Sequence, residues 1–407
     1  MKEKLEELEQ YGIEVILGRK RGFKAGCLRS ALWVLSGVYH RLVALRMLLY
    51  QKRVLREANL GCLVISVGNL TVGGTGKTPV VEFLARALQQ GGRKVAILSR
   101  GYKAKKPPLG RRVQMRLRGR PFNARARVVS DGESVRMDSS RAGDEPFMLA
   151  SNLPGVPVVV DRDRVKAGVE AIRRFGADTL LLDDGLQYLR LGRRLDVVLI
   201  DRSAPFGNEH LLPRGTLREP AANLKRASYI FITKCREERN DELIDRLRSY
   251  NQFAEIIECT HQPTYFEHVL TGEQWPLDFI KGQYVGSVSG IAVPQSFERS
   301  LERLGAEVGV RKRCVDHHRY TFEELEAFAE RCSIRDADCI VTTEKDAVRF
   351  PKKFKPTDMP IYFLRVEIRI IRGQEVWQKF VERICQPLPA RARNRWLEEA
   401  KRLEAAL

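Results

Sequence analysis

Val64-Ile65-Ser66-Val67-Gly68-Asn69-Leu70-Thr71-Val72-Gly73-Gly74-Thr75-Gly76-Lys77-Thr78-Pro79 runs from a short β-branched segment through a glycine-rich turn into a helical pattern. That order gathers backbone N–H groups and a helix N-terminus around one point, where phosphate oxygens accept them. Thr71, Val72, Gly73, Gly74, Thr75, Gly76, Lys77 and Thr78 are therefore the expected ATP-binding loop. Lys77 would reach the outer phosphates and Thr78 would ligate Mg²⁺. Pro79 suits the first helical turn, where its missing N–H costs little. The general pattern G-x-x-x-x-G-K-[ST] asks for glycine where this chain has Thr71.

Outward from this loop, apolar runs alternate with helical patterns. Leu63–Val67, Val95–Leu98, Val156–Val160, Thr179–Leu182, Leu195–Ile200 and Tyr229–Thr233 read as strands, and continuous apolar runs of this kind are buried on both faces of a parallel sheet. Helices near Asp241–Tyr250, Pro294–Leu304 and Thr321–Cys332 and strands near Tyr284–Ser289, Cys339–Thr342 and Ile361–Leu364 extend the pattern. The expected fold class is α/β: a P-loop NTPase-like, doubly wound, mostly parallel sheet, with a second, smaller α/β domain and an N-terminal amphipathic helix. The expected boundaries are residues 1-60 for the helical region, 61-235 for the P-loop domain, 236-388 for the second domain and 389-407 for a helical tail.

Residues 23 to 50 are the most apolar part of the chain, but Arg29, His40, Arg41 and Arg46 interrupt them. A spanning helix needs about 20 apolar residues. Leu28, Ala31, Leu32, Leu35, Tyr39, Leu42, Leu45 and Leu49 recur at helical spacing opposite a basic face. Docking on the chain's own domain and lying on a membrane surface both fit this pattern. Residues 101 to 130 hold ten Lys or Arg and no acidic residue, which predicts an exposed basic loop or hairpin, with an insertion over 103-127.

The 71 Lys and Arg against 51 Asp and Glu give a formal charge of +20, which favours a phosphate-rich partner such as nucleic acid or an anionic membrane. No aromatic-interleaved basic stretch or nucleic-acid module is present, so nucleic acid is not expected. The eight cysteines are scattered without C-x-x-C spacing and read as reduced thiols. The N-terminus lacks the apolar run of a signal peptide, so the chain is expected to stay where ATP is.

Leu180-Leu181-Leu182-Asp183-Asp184 is an apolar strand ending in carboxylate, which suits Mg²⁺ as a hard oxygen ligand; Asp183 is the candidate and Asp201 its competitor. Phosphoryl transfer to a hydroxyl also calls for a group near the γ-phosphate to take the proton. Asp144 and Glu145, or the run Asp316-His317-His318, could supply it.

Gly68–Pro79, Leu98-Ser99-Arg100-Gly101-Tyr102, Gly143-Asp144-Glu145-Pro146 and Asp183-Asp184-Gly185-Leu186-Gln187 together resemble the tetraacyldisaccharide 4'-kinase family of lipid A synthesis. Leu217-Arg218-Glu219-Pro220, Asp316-His317-His318 and Thr342-Thr343-Glu344-Lys345-Asp346-Ala347 extend the resemblance, which covers roughly residues 25 to 385. The family has threonine or serine at the position of Thr71. The resemblance implies transfer of the γ-phosphate of ATP to the 4'-hydroxyl of a lipid-linked disaccharide 1-phosphate, at the anionic cytoplasmic face of the bacterial inner membrane. It implies Asp144 as the catalytic carboxylate with His317 as its partner, and Asp183, Asp184 and Gln187 as the Walker-B neighbourhood. Gln187 and Glu219 join Thr78 and Asp183 as implied metal ligands, and Arg164, Arg218 and Glu145 fall on other active-site positions. Gly101-Tyr102-Lys103-Ala104 departs from the family's Gly-Tyr-Gly-Arg. A different reading of the glycine-rich loop is a membrane-associated ATPase switch of the partition type, but those proteins carry lysine where this chain has Val72.

Overall fold

The computed structural model describes residues 11–16, 18–101, 126–351 and 359–386. Most of the basic insertion and the whole 389-407 tail lie outside the described residues. In chain order come α1 (Phe23–Gln51), β1 (Leu63–Asn69), α2 (Lys77–Gln90), β2 (Val95–Ser99), β3 (Arg127–Asp131), α3 (Ser139–Ala142), α4 (Asp144–Asn152) and β4 (Pro157–Val160). Then follow α5 (Arg164–Phe175), β5 (Thr179–Asp183), β6 (Leu195–Asp201), β7 (Tyr229–Thr233), α6 (Asp241–Tyr250), β8 (Glu255–His268), β9 (Gln274–Trp275) and β10 (Tyr284–Ser289). The last elements are α7 (Pro294–Arg303), β11 (Glu307–Arg313), α8 (Phe322–Ser333), β12 (Cys339–Thr343), α9 (Glu344–Ala347), β13 (Ile361–Arg372) and α10 (Gln374–Cys385).

The chain forms two compact units from interleaved segments. The first takes the chain up to Lys77, Thr179–Thr260 and the segment from Ile370; the second takes Thr78–Asp178 and His261–Arg369. In the first unit β1 lies between β5 and β6, and β6, β7 and β8 continue the ladder, all parallel. Every residue of β5 and β7 is buried, as expected of strands covered on both faces. Leu70, Leu186, Val198, Ile200, Leu217, Ile230 and Ile232 belong to the core cluster beneath the loop that leaves β1. Because the strands run parallel, their carboxyl ends present that loop, Asp183 and Asp201 at one edge, where ligands of open α/β sheets bind.

In the second unit β2 pairs with β4 in parallel and β3 with β4 antiparallel, while β10 lies between β11 and β12, with β13 beyond β12. The side chain of Asp163 caps α5 on the N–H groups of Val165 and Lys166, and Gly176 ends it in a left-handed turn. Thr321 and Glu324 form a reciprocal capping box on α8. The described end of the basic stretch is strand from Arg127. Two strands go beyond the sequence reading. β8 and β11 are strands that sequence patterning missed, because Glu255–His268 and Glu307–Arg313 intersperse charged and polar residues with their apolar ones.

Buried ions also brace the second unit. The Arg365 guanidinium lies between Glu344, at 2.7 Å from both oxygens, and Glu82 on α2. Burial pushes the Glu344 carboxyl above its ordinary value, with Arg365 opposing. Replacing Arg365 with leucine strands two buried carboxylates, and urea unfolding should show a loss of about 3–5 kcal/mol.

Candidate active site

The phosphate loop owes its shape to backbone choices that only glycine makes without strain. Gly73 (φ 126°) and Gly76 (φ 78°) sit at positive φ. Thr71 does not: it is buried, forms an antiparallel bridge with Leu217, and its hydroxyl accepts from Asn69 Nδ2 at 3.2 Å. The residue that departs from the general motif thus occupies a position where a β-branched side chain fits. Gly68 is needed for a different reason, since a Cβ there would come within 2.6 Å of the Leu186 Cβ.

Lys77 is oriented by two acceptors, Asn69 Oδ1 at 3.0 Å and Asp184 Oδ1 at 3.1 Å. Arg218 Nη1 donates to both Asp184 oxygens at 2.9 Å and to Gln187 Oε1 at 3.4 Å, and Gln187 Nε2 donates to the Asn69 carbonyl at 3.1 Å. Burial pushes the Asp184 carboxyl up, but Lys77 and Arg218 outweigh it and hold it below its ordinary value. A left-handed backbone at Asp184 (φ 51°) separates the paired carboxylates. Asp183 stays buried at the end of β5, in register with Val67 of β1, while Asp184 meets Lys77.

The other sequence candidates in this unit are differently occupied. Glu219 is buried, with its oxygens accepting from Arg226 at 2.8 and 2.9 Å and from Asn223 at 2.7 Å. Asp201, the competing candidate, pairs with Lys234. Of the oxygen donors read from sequence in this unit, Asp183 suits Mg²⁺ best, as a hard carboxylate beside the strand that feeds the loop. Among the described residues no cluster of three His, Cys, Asp or Glu forms a dedicated metal cage. Mg²⁺ bound mainly by nucleotide phosphates and water needs none.

Helix α1 flanks the same unit. Its inward edge is polar: Ser36 Oγ donates to the Leu211 carbonyl at 3.0 Å, Tyr39 Oη to that of Arg218 at 2.8 Å, and Arg46 to that of Gln187 at 3.0 Å. Trp33, Leu35, Leu42 and Leu45 are each more than half exposed. It is one helix long and apolar enough to cross a membrane by length and composition.

The second unit gathers charged groups around Asp144. Gly143 at φ 99° starts α4, whose first residue Asp144 is only 5% exposed. Its carboxylate accepts from Arg349 Nε at 2.8 Å and Arg319 Nη2 at 3.0 Å, and His317 Nδ1 lies 3.1 Å away. Lys345 Nζ faces His317 Nε2 at 3.4 Å and Glu145 at 3.2 Å. Arg349 Nη2 also lies 3.2 Å from Nδ1; a proton on Nδ1 donates to Asp144 and leaves Nε2 to accept from Lys345, while the other tautomer would let Nδ1 accept from Arg349. Burial pushes the Asp144 carboxyl up, yet His317, Arg349 and Arg319 together hold it below its ordinary value, so it stays ionised. His318 is used elsewhere: its Nε2 meets Glu324 of the α8 capping box at 2.9 Å. Arg164 is buried at the start of α5 and donates to the Asp161 carbonyl at 3.3 Å.

Arg349, Arg319 and Lys345 were not assigned a role from sequence. Their signals are faint: Arg319 follows His317 by two, and Arg349 follows Asp346 by three, in the turn just past α9. There Asp346 accepts from Arg349 at 3.0 Å and from Tyr320 and Gly290 as well.

A glycine-rich loop leaving a parallel strand, an oriented lysine and a strand-end carboxylate define a P-loop nucleotide-binding protein. The family model described as LpxK, tetraacyldisaccharide-1-P 4'-kinase, matches residues 28–386, and the chain belongs to that family. Tetraacyldisaccharide 4'-kinase of Halothermothrix orenii is 37% identical over 89% of this chain and 95% of its own length. The enzyme of that name from Anaeromyxobacter dehalogenans strain 2CP-C is 39% identical over 90% of this chain and 93% of its own. A crystal structure of LpxK from Aquifex aeolicus in complex with ATP is similar with a TM-score of 0.68 and 28% identity, covering 88% of this chain and 99% of that one.

Proposed function

We propose that this chain is an ATP-dependent lipid kinase that transfers the γ-phosphoryl group to the 4'-hydroxyl of a tetraacylated glucosamine disaccharide 1-phosphate, yielding the 1,4'-bisphosphate and ADP. Family membership supports the substrate class. The observation that carries the chemistry is the buried, ionised Asp144 with His317 against it, a group that a nucleotide switch has no need of. Asp144 accepts the hydroxyl proton as the oxygen attacks phosphorus, and the bond to the β-γ bridging oxygen breaks. His317 and Arg349 keep the carboxylate ionised and oriented. Lys77 follows the charge on the outer phosphates, and the loop N–H groups hold them. Thr78 and Asp183 are the residues that would hold Mg²⁺, which neutralises charge on the phosphate oxygens. The direct test incubates purified protein with labelled ATP and the tetraacylated disaccharide 1-phosphate. Absence of a bisphosphorylated lipid while ATP hydrolysis persists would sink the proposal.

The same reading places the protein peripherally on the cytoplasmic face of the inner membrane, with the exposed apolar side of α1 against lipid and Arg29, His40 and Arg41 near anionic headgroups. A Trp33→Asp, Leu42→Asp double variant removes from that contact two exposed apolar side chains that lipid would bury, about 1.5–3 kcal/mol each. Its partition onto anionic vesicles should fall at least about tenfold, measured by co-sedimentation. Unchanged partition would place the lipid contact elsewhere.

A further inference from the structure

Gly73 and Gly74 carry no side chain to anchor the phosphate loop, and a Cβ built at either position would meet nothing within 4 Å. Yet an anion-binding loop must keep its N–H groups toward the phosphates and its carbonyls from turning to them. Three consecutive carbonyls are in fact each engaged by a donor. Gly73 O accepts from Thr75 N at 3.1 Å, Gly74 O from Lys234 Nζ at 3.0 Å, and Thr75 O from Thr233 Oγ1 at 3.0 Å.

Two of these donors are neighbours in sequence, at the end of β7. Successive side chains of a strand point to opposite faces, so 233 and 234 could not both serve the loop in regular extended backbone. Lys234 breaks the alternation by adopting a left-handed conformation (φ 59°), uncommon for a residue with a Cβ. Its ammonium then spans the Gly74 carbonyl and the Asp201 carboxylate, itself fixed by Ser203.

We propose that Lys234, held by Asp201, is a positioning residue for phosphate transfer: it clamps the Gly74 carbonyl so that the glycine-rich loop stays in its phosphate-binding conformation. The proposal rests on the ATP-dependent reading above. It also explains the otherwise unused pair of charges at the ends of β6 and β7. Lys234 acts through the loop and not as a cation attracting ATP, since Asp201 balances its charge.

Two variants separate these roles by sign. Asp201→Asn leaves the positive charge and loosens the clamp, so ATP binding should weaken; a lysine acting by charge would bind ATP more tightly once Asp201 is neutral. Lys234→Gly removes the clamp but suits φ 59° better than lysine, so a residue kept only for the turn would tolerate it. Calorimetric titration of the full chain with ATP should show about tenfold weaker binding for Lys234→Gly, Lys234→Met and Asp201→Asn, the scale of one hydrogen bond to a charged group. KM for ATP should rise to match while KM for the lipid acceptor stays within about twofold. Wild-type affinity in Lys234→Gly, or tighter binding in Asp201→Asn, would overturn the clamp. Failure of the unaltered protein to bind ATP would instead remove the kinase reading on which it rests.

Discussion

Asparagine in place of Asp144 is expected to lower turnover by at least about two orders of magnitude, the scale of general-base removal, with ATP affinity unchanged. The substitution keeps the side chain's size and one acceptor oxygen for Arg349 and His317, but removes the negative charge that receives the proton. Asp144 is a weak base on its own, because its neighbours hold it below its ordinary carboxyl value. Its advantage is that it remains charged, with no proton to shed before turnover. As pH falls, the group is therefore protonated only below the ordinary carboxylate value of 3.8, and the acid limb it causes lies beneath that point. The same sign applies to stability: the pairing with Arg349 and Arg319 is fully present above the unfolded value and is lost as pH falls through the folded one. Asp144→Asn also removes one of the two carboxylates that balance the fully buried Arg349 guanidinium, leaving Asp346 as the other. Thermal unfolding run beside the kinetics separates that loss from lost chemistry. Turnover within a few-fold of wild type would remove Asp144 from the proton transfer.

Lys77→Ala should be as damaging, by about 10²–10³-fold in kcat, the scale seen when one preorganised donor to developing charge is removed. Lys77 is set by Asn69 and Asp184, and Asp184 is in turn set by Arg218. The ammonium thus occupies a fixed point and does not have to be ordered when phosphate arrives. Lys77→Arg should not rescue activity, because a planar fork cannot take the place of a compact point charge between those two acceptors. Single-turnover phosphate transfer, which separates chemistry from product release, is the appropriate measurement. Full activity in the arginine variant would show that only charge is required.

The phosphate loop could be read from the sequence because it is local: one strand, one turn and one helix start carry the whole device within 16 residues, from Val64 to Pro79. The Asp144 centre is the opposite case. His317 is 173 residues away and Arg349 is 205. No spacing rule connects groups at that separation, and only the family resemblance brought Asp144 and His317 together. Lys234 was hidden differently. What Thr233 and Lys234 hold in the loop are backbone carbonyls, which leave no trace in side-chain patterns. β11 escaped notice because Arg311, Lys312 and Arg313 mask the alternation of Val308 and Val310.

The hydrogen bonds that α1 makes to the carbonyls of Gln187 and Arg218 carry a practical consequence for handling this protein. Trimming the greasy N-terminal segment to obtain a detergent-free preparation would also remove the fastening of Arg218, which sets Asp184 and through it Lys77, and of Gln187, which accepts from Arg218. Solubility gained in that way comes with a loosened catalytic lysine, so recoating the outer face of α1 with polar side chains is the sounder route.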